Sequence, residues 1–406
     1  MHRPVASHDV SRSAEVLRRG ARWQNFQVSG DAGLRAPRGL AARLLLSAKP
    51  MRARRLLRRR TVHAIAAVSV TLGALALSEL VSVTVPAPAS DRPAHHGRRG
   101  FRNLDPEYAY SIRTRIVHVV GRPPARLRGR PLEVVANDGR ALRGPLAAPM
   151  LTWIGHATFL VQLDGVNLLT DPTWSERTSP VPFAGPRRLV PPGVRFEDLP
   201  PIHAVVVSHD HYDHLDLATV TRLARVHHPT FFVPLGLRAW FESRGIRDVV
   251  ELDWWQSARI GALALTAVPA QHSSGRSLLL DDQNTRLWAS WVIAAPDRRL
   301  FFAGDTGYHG GFVEIGRRHG PFDLAALPIG GYSDFRHHHP NHLSPEETVQ
   351  AFEDLAAAVL VPMHWGTFEL NREPFREPPD RLMAEALRHG LEERVAPLSP
   401  GQTIRW

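Results

Sequence analysis

Residues 150–163 alternate apolar and polar side chains, reach Asp164-Gly165, and resume as an apolar run at 166–170. That pattern predicts a hairpin closed by a two-residue turn. His203 to Ser208 reads H-A-V-V-V-S, a short buried strand, and the 215–226 stretch then spaces Leu215, Val220, Leu223 and Val226 on one helical face. Further strands are expected at 262–268, 288–294, 300–303, 324–329 and 359–362, and helices at 345–358 and 380–389. No internal repeat with a clear period is present. Short strands interleaved with helices, in one unit of roughly 260 residues, predict an α/β sandwich.

The first hundred residues follow a different pattern. Residues 1–50, rich in Arg, Ala and Gly, read as a disordered or untranslated basic leader. Met51 opens a basic run, and Thr61 to Ser78 then carries no Asp, Glu, Lys or Arg before Glu79. With Ala87-Pro88-Ala89 as a small-residue cleavage site, 51–89 reads as a signal peptide or signal anchor. Arg59-Arg60 also allows a twin-arginine reading, and a buried or interfacial helix is the alternative. Residues 90–100, with Pro93 and two glycines, read as a linker, which leaves 101–406 as the folded domain. This leader predicts an inner-membrane-associated or periplasmic protein; a cytoplasmic protein peripheral to the membrane is the alternative.

Composition alters this picture in two places. The net charge of +11 suggests nucleic acid until it is located: residues 1–60 hold 15 of the 50 basic side chains and only three of the 39 acidic ones. The rest of the chain is balanced to within one charge, so the working domain lacks the positive field expected of a nuclease. No nucleic-acid partner is expected. The chain also has no cysteine, so any metal must be held by His, Asp and Glu.

Residues 208–216 read S-H-D-H-Y-D-H-L-D and place His209, His211, Asp213 and His214 just beyond a strand. A loop leaving a strand end is free of ladder constraints, so these side chains can converge. Imidazole and carboxylate suit zinc when thiolates are missing, and such ligands split between two ions would serve two-metal catalysis. His272 in V-P-A-Q-H, Asp305 in F-F-A-G-D-T-G-Y and His364 in V-P-M-H-W-G-T-F lie at the ends of later strands. Each alone is as readily structural; in this order they complete a metal set.

The H-x-H-x-D-H run followed by these three residues resembles the metallo-β-lactamase superfamily. W-I-G-H-A-T-F-L-V, L-L-T-D-P, E-L-D-W-W, G-P-F-D-L-A-A-L-P-I-G and M-H-W-G-T-F are similar to the N-acyl-phosphatidylethanolamine-hydrolysing phospholipase D family, from about residue 100 to the C-terminus. The resemblance implies a four-layer αβ/βα sandwich with two zinc ions. His209, His211 and His272 would hold one ion, Asp213, His214 and His364 the other, with Asp305 bridging. His156 and Asp171 resemble groups that orient ligands, and Tyr212 matches a substrate-contacting position whose plainer reading is a packed aromatic. The implied reaction is phosphodiester hydrolysis by a metal-bridging hydroxide, giving phosphatidic acid and an N-acylethanolamine, with a phospholipid and a membrane surface as partners and a homodimer as a further option. The alternatives are a lactonase or small-molecule phosphoesterase, and a metal-dependent binding protein without turnover.

Residues 335–347 read F-R-H-H-H-P-N-H-L-S-P-E-E. All metal-ligand roles are filled elsewhere, so a third site here is not expected. Ser344, Pro345 and Glu347 carry N-cap, N1 and N3 signals, so His342 sits on the loop feeding a capped helix. In the family pattern that histidine would bind a phosphoryl oxygen or protonate the leaving alkoxide, with Asn341 beside it. His337, His338 and His339 read as solvated loop residues.

Overall fold

The computed structural model describes residues 93–105, 132–144, 148–332, 340–368, 370 and 373–406. All of them belong to one of two compact units, His63–Trp406. The leader (1–50 and 51–89) and His337, His338 and His339 lie outside the described residues. Among the described residues no helix is long and apolar enough to cross a membrane.

Among the described residues thirteen strands form two mixed sheets. The first takes β1 (Met150–Gly155), β2 (Thr158–Leu163), β3 (Val166–Thr170), β4 (Ala204–Val206), β5 (Thr230–Pro234), β6 (Val249–Leu252) and, on its outer edge beside β1, β13 (Thr403–Arg405). β1 to β3 are antiparallel neighbours, and β3 to β6 run parallel. The second runs β12 (Ala357–Met363), β11 (Phe322–Pro328), β10 (Arg299–Phe302), β9 (Ser290–Ala294), β8 (Leu263–Val268) and β7 (Ser257–Ile260). β10, β11 and β12 are parallel, and β7 to β10 antiparallel.

Both faces of the first sheet are buried, and strand periodicity explains how. Phe159, Val161, Leu168, Val206 and Phe232 enter one apolar cluster with the second sheet. Their neighbours Leu160, Leu169, Val205, Val207, Phe231 and Val233 enter another, shared with α1 (Leu217–Val226) and α2 (Arg238–Glu242). Adjacent Phe231 and Phe232 are both fully buried on opposite faces, each contributing about 1.5–3 kcal/mol of transfer free energy. Helices α3 (Gly311–His319), α4 (Pro345–Asp354) and α5 (Glu377–His389) place Phe312, Ile315, Val349, Phe352 and Leu382 in the cluster built on the second sheet. Helix, sheet, sheet and helix give the four-layer α/β sandwich expected.

The Asp164-Gly165 hairpin forms with both residues at positive φ (48° and 78°), and Leu163 pairs with Val166. The 150–163 segment, however, is two strands. His156 and Ala157 turn between them, His156 at φ 55°, and alternation cannot reveal a tight turn that interrupts it. The helix expected over 345–358 ends at Asp354, where Ala356 at φ 51° turns the chain into β12. Residues 93–100, within the stretch read as a linker, are tied to the domain: His95 is buried and the ring nitrogens of His95 and His96 lie 2.7 and 2.8 Å from Asp253.

Candidate metal centre

β1, β3, β4, β8, β10, β11 and β12 all present their carboxyl ends at one edge of the sandwich, and the functional side chains follow those ends. His156 follows β1, Asp171 β3, the 208–214 loop β4, His272 β8, Asp305 β10 and His364 β12. Three of them hold backbones that L-residues seldom adopt: His156, Asp171 and His364 have φ of 55°, 34° and 61°. The His364 N–H donates to the His156 carbonyl at 3.2 Å, so two of these turns brace each other. Gly304 lets the Asp305 turn reach the 208–214 loop; a Cβ there would lie 2.3 Å from that of Ser208.

Two ligand groups result. In the first, His211 Nδ1 lies 2.9 Å from His209 Nε2 and 3.2 Å from His272 Nε2. The outer nitrogens of two of these rings are committed. His272 Nδ1–H donates to the Asn341 carbonyl at 3.0 Å. Ser208 Oγ donates to Asp171 Oδ2 at 2.6 Å, so it accepts from His209 Nδ1–H at 2.9 Å. His209 Nε2 and His272 Nε2 therefore both turn lone pairs toward His211 Nδ1, which can offer one proton at most. A cation resolves that conflict, and the spacings match the tetrahedral edge of about 3.3 Å for imidazoles bound 2.0–2.1 Å from zinc.

In the second group, Asp213 Oδ2 lies 3.4 Å from His214 Nε2 and 3.5 Å from His364 Nε2. His214 Nε2 lies 3.2 Å from Asp305 Oδ2, and His364 Nε2 3.1 Å from Asp305 Oδ1. Both Nε2 atoms are buried without a hydrogen-bond partner, as is Asp305 Oδ1. These atoms converge on a common point and miss one another's hydrogen-bonding directions, the signature of a cation site. Asp305 also reaches the first group, with Oδ2 3.8 Å from His272 Nε2. The donors present fit divalent ions.

Charges are arranged to the same end. Burial pushes His209 well down and His272 to about 4, keeping both as the neutral imidazoles a metal requires. Burial alone would raise Asp213 and Asp305, but His214 outweighs it, with His364 adding to the effect, and holds both carboxyls well below their ordinary range. Burial would lower His214 and His364; the two carboxylates outweigh it, raising His214 well up and His364 to about 9. Without a metal, protons on these histidines stand where cationic charge belongs.

A model of the β-lactamase superfamily domain matches residues 166–365. N-acyl-phosphatidylethanolamine-hydrolyzing phospholipase D 1 of Caenorhabditis elegans is 42% identical over 61% of this chain and 72% of its own length. A metal-dependent hydrolase of Methanopyrus kandleri is 30% identical over 62% of this chain and 98% of its own length. Isothiocyanate hydrolase from Delia radicum gut bacteria superimposes with a TM-score of 0.51 at 24% identity, covering 63% of this chain and 99% of that one. The chain belongs to the metallo-β-lactamase superfamily, among the relatives of N-acyl-phosphatidylethanolamine-hydrolysing phospholipase D. It is a metal-dependent hydrolase of the metallo-β-lactamase fold.

Around the centre of this hydrolase the structure brings together every site residue named from sequence that it describes. Asp171 takes His214 Nδ1–H at 2.7 Å and, through Ser208, also fixes His209, so one buried carboxylate aims a ligand of each group. His156 Nε2 lies 3.0 Å from Asp213 Oδ2, with His156 pushed down to about 3 by burial and by His364. The ring of His342 overhangs both groups: Nδ1 is 3.8 Å from Asp305 Oδ2, and the ring centroid is 5.3 Å from that of His272 and 5.5 Å from that of His364. Gly331 makes room for it, since a Cβ there would lie 2.9 Å from His342 Nδ1. The capping box of Ser344 and Glu347, with Pro345 in the first turn, starts α4 as expected. The hydroxyl of Tyr212 donates to the Arg276 carbonyl at 2.8 Å, and the Arg276 guanidinium lies 4.0 Å from its ring centroid, so here the side chain packs the floor of the site. Sequence reasoning passed over Asp210, inside the motif itself. It is fully buried, pairs with Arg286 at 2.7 Å and accepts from Gly275 N–H at 2.7 Å, clamping the ligand loop from behind.

Proposed function

We propose that this protein is a zinc-dependent phosphodiesterase of phospholipase D type. It would hydrolyse N-acyl-phosphatidylethanolamine-like lipids to phosphatidic acid and N-acylethanolamine. One observation carries the reading: an imidazole, His342, stands over two ligand groups joined through Asp305. The kinship to the nematode enzyme supports the lipid assignment, because that relative is named for this substrate.

Two zinc ions held by His209, His211 and His272, and by Asp213, His214 and His364, with Asp305 between them, would supply Lewis-acid activation of a phosphoryl oxygen and of water near neutral pH. The chain's own residues do the rest. Asp171 and Asn341 fix the tautomers of His209, His214 and His272, so that their free nitrogens face inward. In hydrolysis the water oxygen forms a new bond to phosphorus while the bond from phosphorus to the ethanolamide oxygen breaks. His342 delivers the proton that the leaving alkoxide takes up, a step within reach of imidazole. Asn341, one residue away, helps hold the phosphoryl group. The basic leader would add attraction to an anionic lipid surface, a reading compatible with an inner-membrane or periplasmic protein and with a cytoplasmic one peripheral to the membrane.

The test is the full-length chain loaded with zinc and given N-acyl-phosphatidylethanolamine, phosphatidylethanolamine, bis-p-nitrophenyl phosphate and a panel of lactones. The N-acylated lipid should turn over fastest, and His209→Ala should abolish that activity. Lactone hydrolysis without lipid turnover would sink the proposal, as would full phosphodiesterase activity in His209→Ala.

A further inference from the structure

His272 is a ligand carried outside regular secondary structure. It lies four residues beyond β8, in a segment of Pro, Ala, Ser and Gly that pairs with no strand. Its main-chain groups nevertheless have partners, and both come from one side chain 169 residues earlier. Asn103 Oδ1 accepts the His272 N–H at 3.0 Å, and Asn103 Nδ2 donates to the His272 carbonyl at 2.9 Å. The carboxamide mimics a strand neighbour for a single residue. Trp288 Nε1–H is shared between the same Oδ1, at 3.0 Å, and the Ala270 carbonyl, at 2.9 Å.

Asn103 is held in turn by the strap that carries it, residues 93–105. The strap closes on itself where Arg102 N–H donates to the His95 carbonyl at 2.9 Å. Phe101 N–H donates to Asn284 at 2.8 Å, and Gly100 passes so close to that carbonyl that a Cβ would lie 2.1 Å from its oxygen. At the far end His95 and His96 each take one oxygen of Asp253, at 2.7 and 2.8 Å, and His95 stacks on Trp254 at 4.2 Å. Those two imidazoles and the carboxylate satisfy one another, in contrast to the converging, unpaired atoms of the metal centre. They form a latch.

We infer that Asn103 is a positioning residue of the metal centre: the 93–105 strap, latched on Asp253, sets the backbone of His272 and thereby the grip of the three-histidine group on its ion. The inference rests on the assignment of His209, His211 and His272 to one ion. Because Asn103 touches neither the second group nor His342, its loss should act on one ion and not on the other.

Release of zinc from the full-length, two-zinc protein into a chromogenic chelator, resolved in time, tests this. Asn103→Ala should release one of the two ions about tenfold or more faster, as removal of a ligand's supporting hydrogen bonds generally does, and leave the other at its wild-type rate. Asn103→Asp keeps the acceptor for His272 N–H but sets a carboxylate oxygen against the His272 carbonyl, so it too should speed release of that one ion; it decides the matter if the alanine variant does not fold. kcat should fall in step with the weakened ion while KM stays near its wild-type value. If both variants release both ions at wild-type rates, or speed both equally, the strap has only a general structural role and the inference is overturned. His272→Ala is the control, expected to bind a single ion. Two ions retained in that variant would instead remove the ligand assignment beneath the inference.

Discussion

The two ligand groups differ most in where their protons sit before a metal arrives. His209 and His272 are driven neutral by burial, whereas His214 and His364 are held protonated by Asp213 and Asp305, His364 up to about 9. Filling the second group must expel those protons, since a ligating imidazole is deprotonated. Calorimetric zinc titrations of the metal-free protein, run in buffers of differing ionisation enthalpy, should therefore report about two protons released at pH 7. The number should fall as pH rises through the His364 value, because that proton is then already gone. A count near zero at pH 7 would contradict the charge arrangement. His342 gives a complementary prediction. It overhangs the groups without completing either, so His342→Ala should lower kcat by about 10²-fold or more with two zinc ions still bound. Loss of zinc in that variant would make it a ligand instead.

Strands and loops differ in how far the sequence exposes them. β4, α1, β8 to β12 and α5 were legible because a half-buried helix or a buried strand must repeat its apolar positions. β7 was not, for its alternation of Ser257, Ala258, Arg259 and Ile260 spans only four residues and buries none of them fully; α3 has only nine residues, with Gly311 and Gly316 among them, and its apolar face rests on Phe312 and Ile315 alone. The ligand set was legible because metal chemistry restricts residue types so sharply that His and Asp at strand ends are informative alone. Asn103 and the strap left no such trace, since an asparagine holding a backbone is indistinguishable from one in a turn. The latch can be tested through its carboxylate. Burial would raise Asp253, but His95, with His96 and the Trp254 N–H, outweighs it and holds the group below its ordinary 3.8. A depressed carboxylate contributes stability that is present above its unfolded value and lost as pH falls through its folded one. The destabilisation caused by Asp253→Asn, measured by urea unfolding, should thus be greatest near neutrality and shrink below about pH 4. A difference unchanged from pH 7 to pH 3 would show that the carboxylate's charge contributes nothing.

The metal centre lies on the seam between the two sheets, and this gives it a mechanical consequence. His209, His211, Asp213 and His214 leave β4 of the first sheet, while His272, Asp305 and His364 leave β8, β10 and β12 of the second. Each group draws on both sheets, so an ion in either position ties them together. The buried Nε2 atoms of His214 and His364 and Oδ1 of Asp305 are otherwise without hydrogen-bond partners, a cost the folded chain bears when no cation is there. Binding to the native state alone stabilises by mass action, about 4 kcal/mol at a free ion concentration a thousandfold above Kd. For a domain of this size each kcal/mol moves the unfolding midpoint by about 2–4 °C. Chelation should therefore lower the midpoint of the full-length protein by on the order of 10 °C, and stoichiometric zinc should restore it. His364→Ala should show a smaller drop on chelation, because one of its two cross-ties is already missing. An unfolding midpoint that ignores chelation in the wild type would mean that the sheets are held by their apolar interface alone, and that the converging histidines and aspartates contribute nothing to the fold.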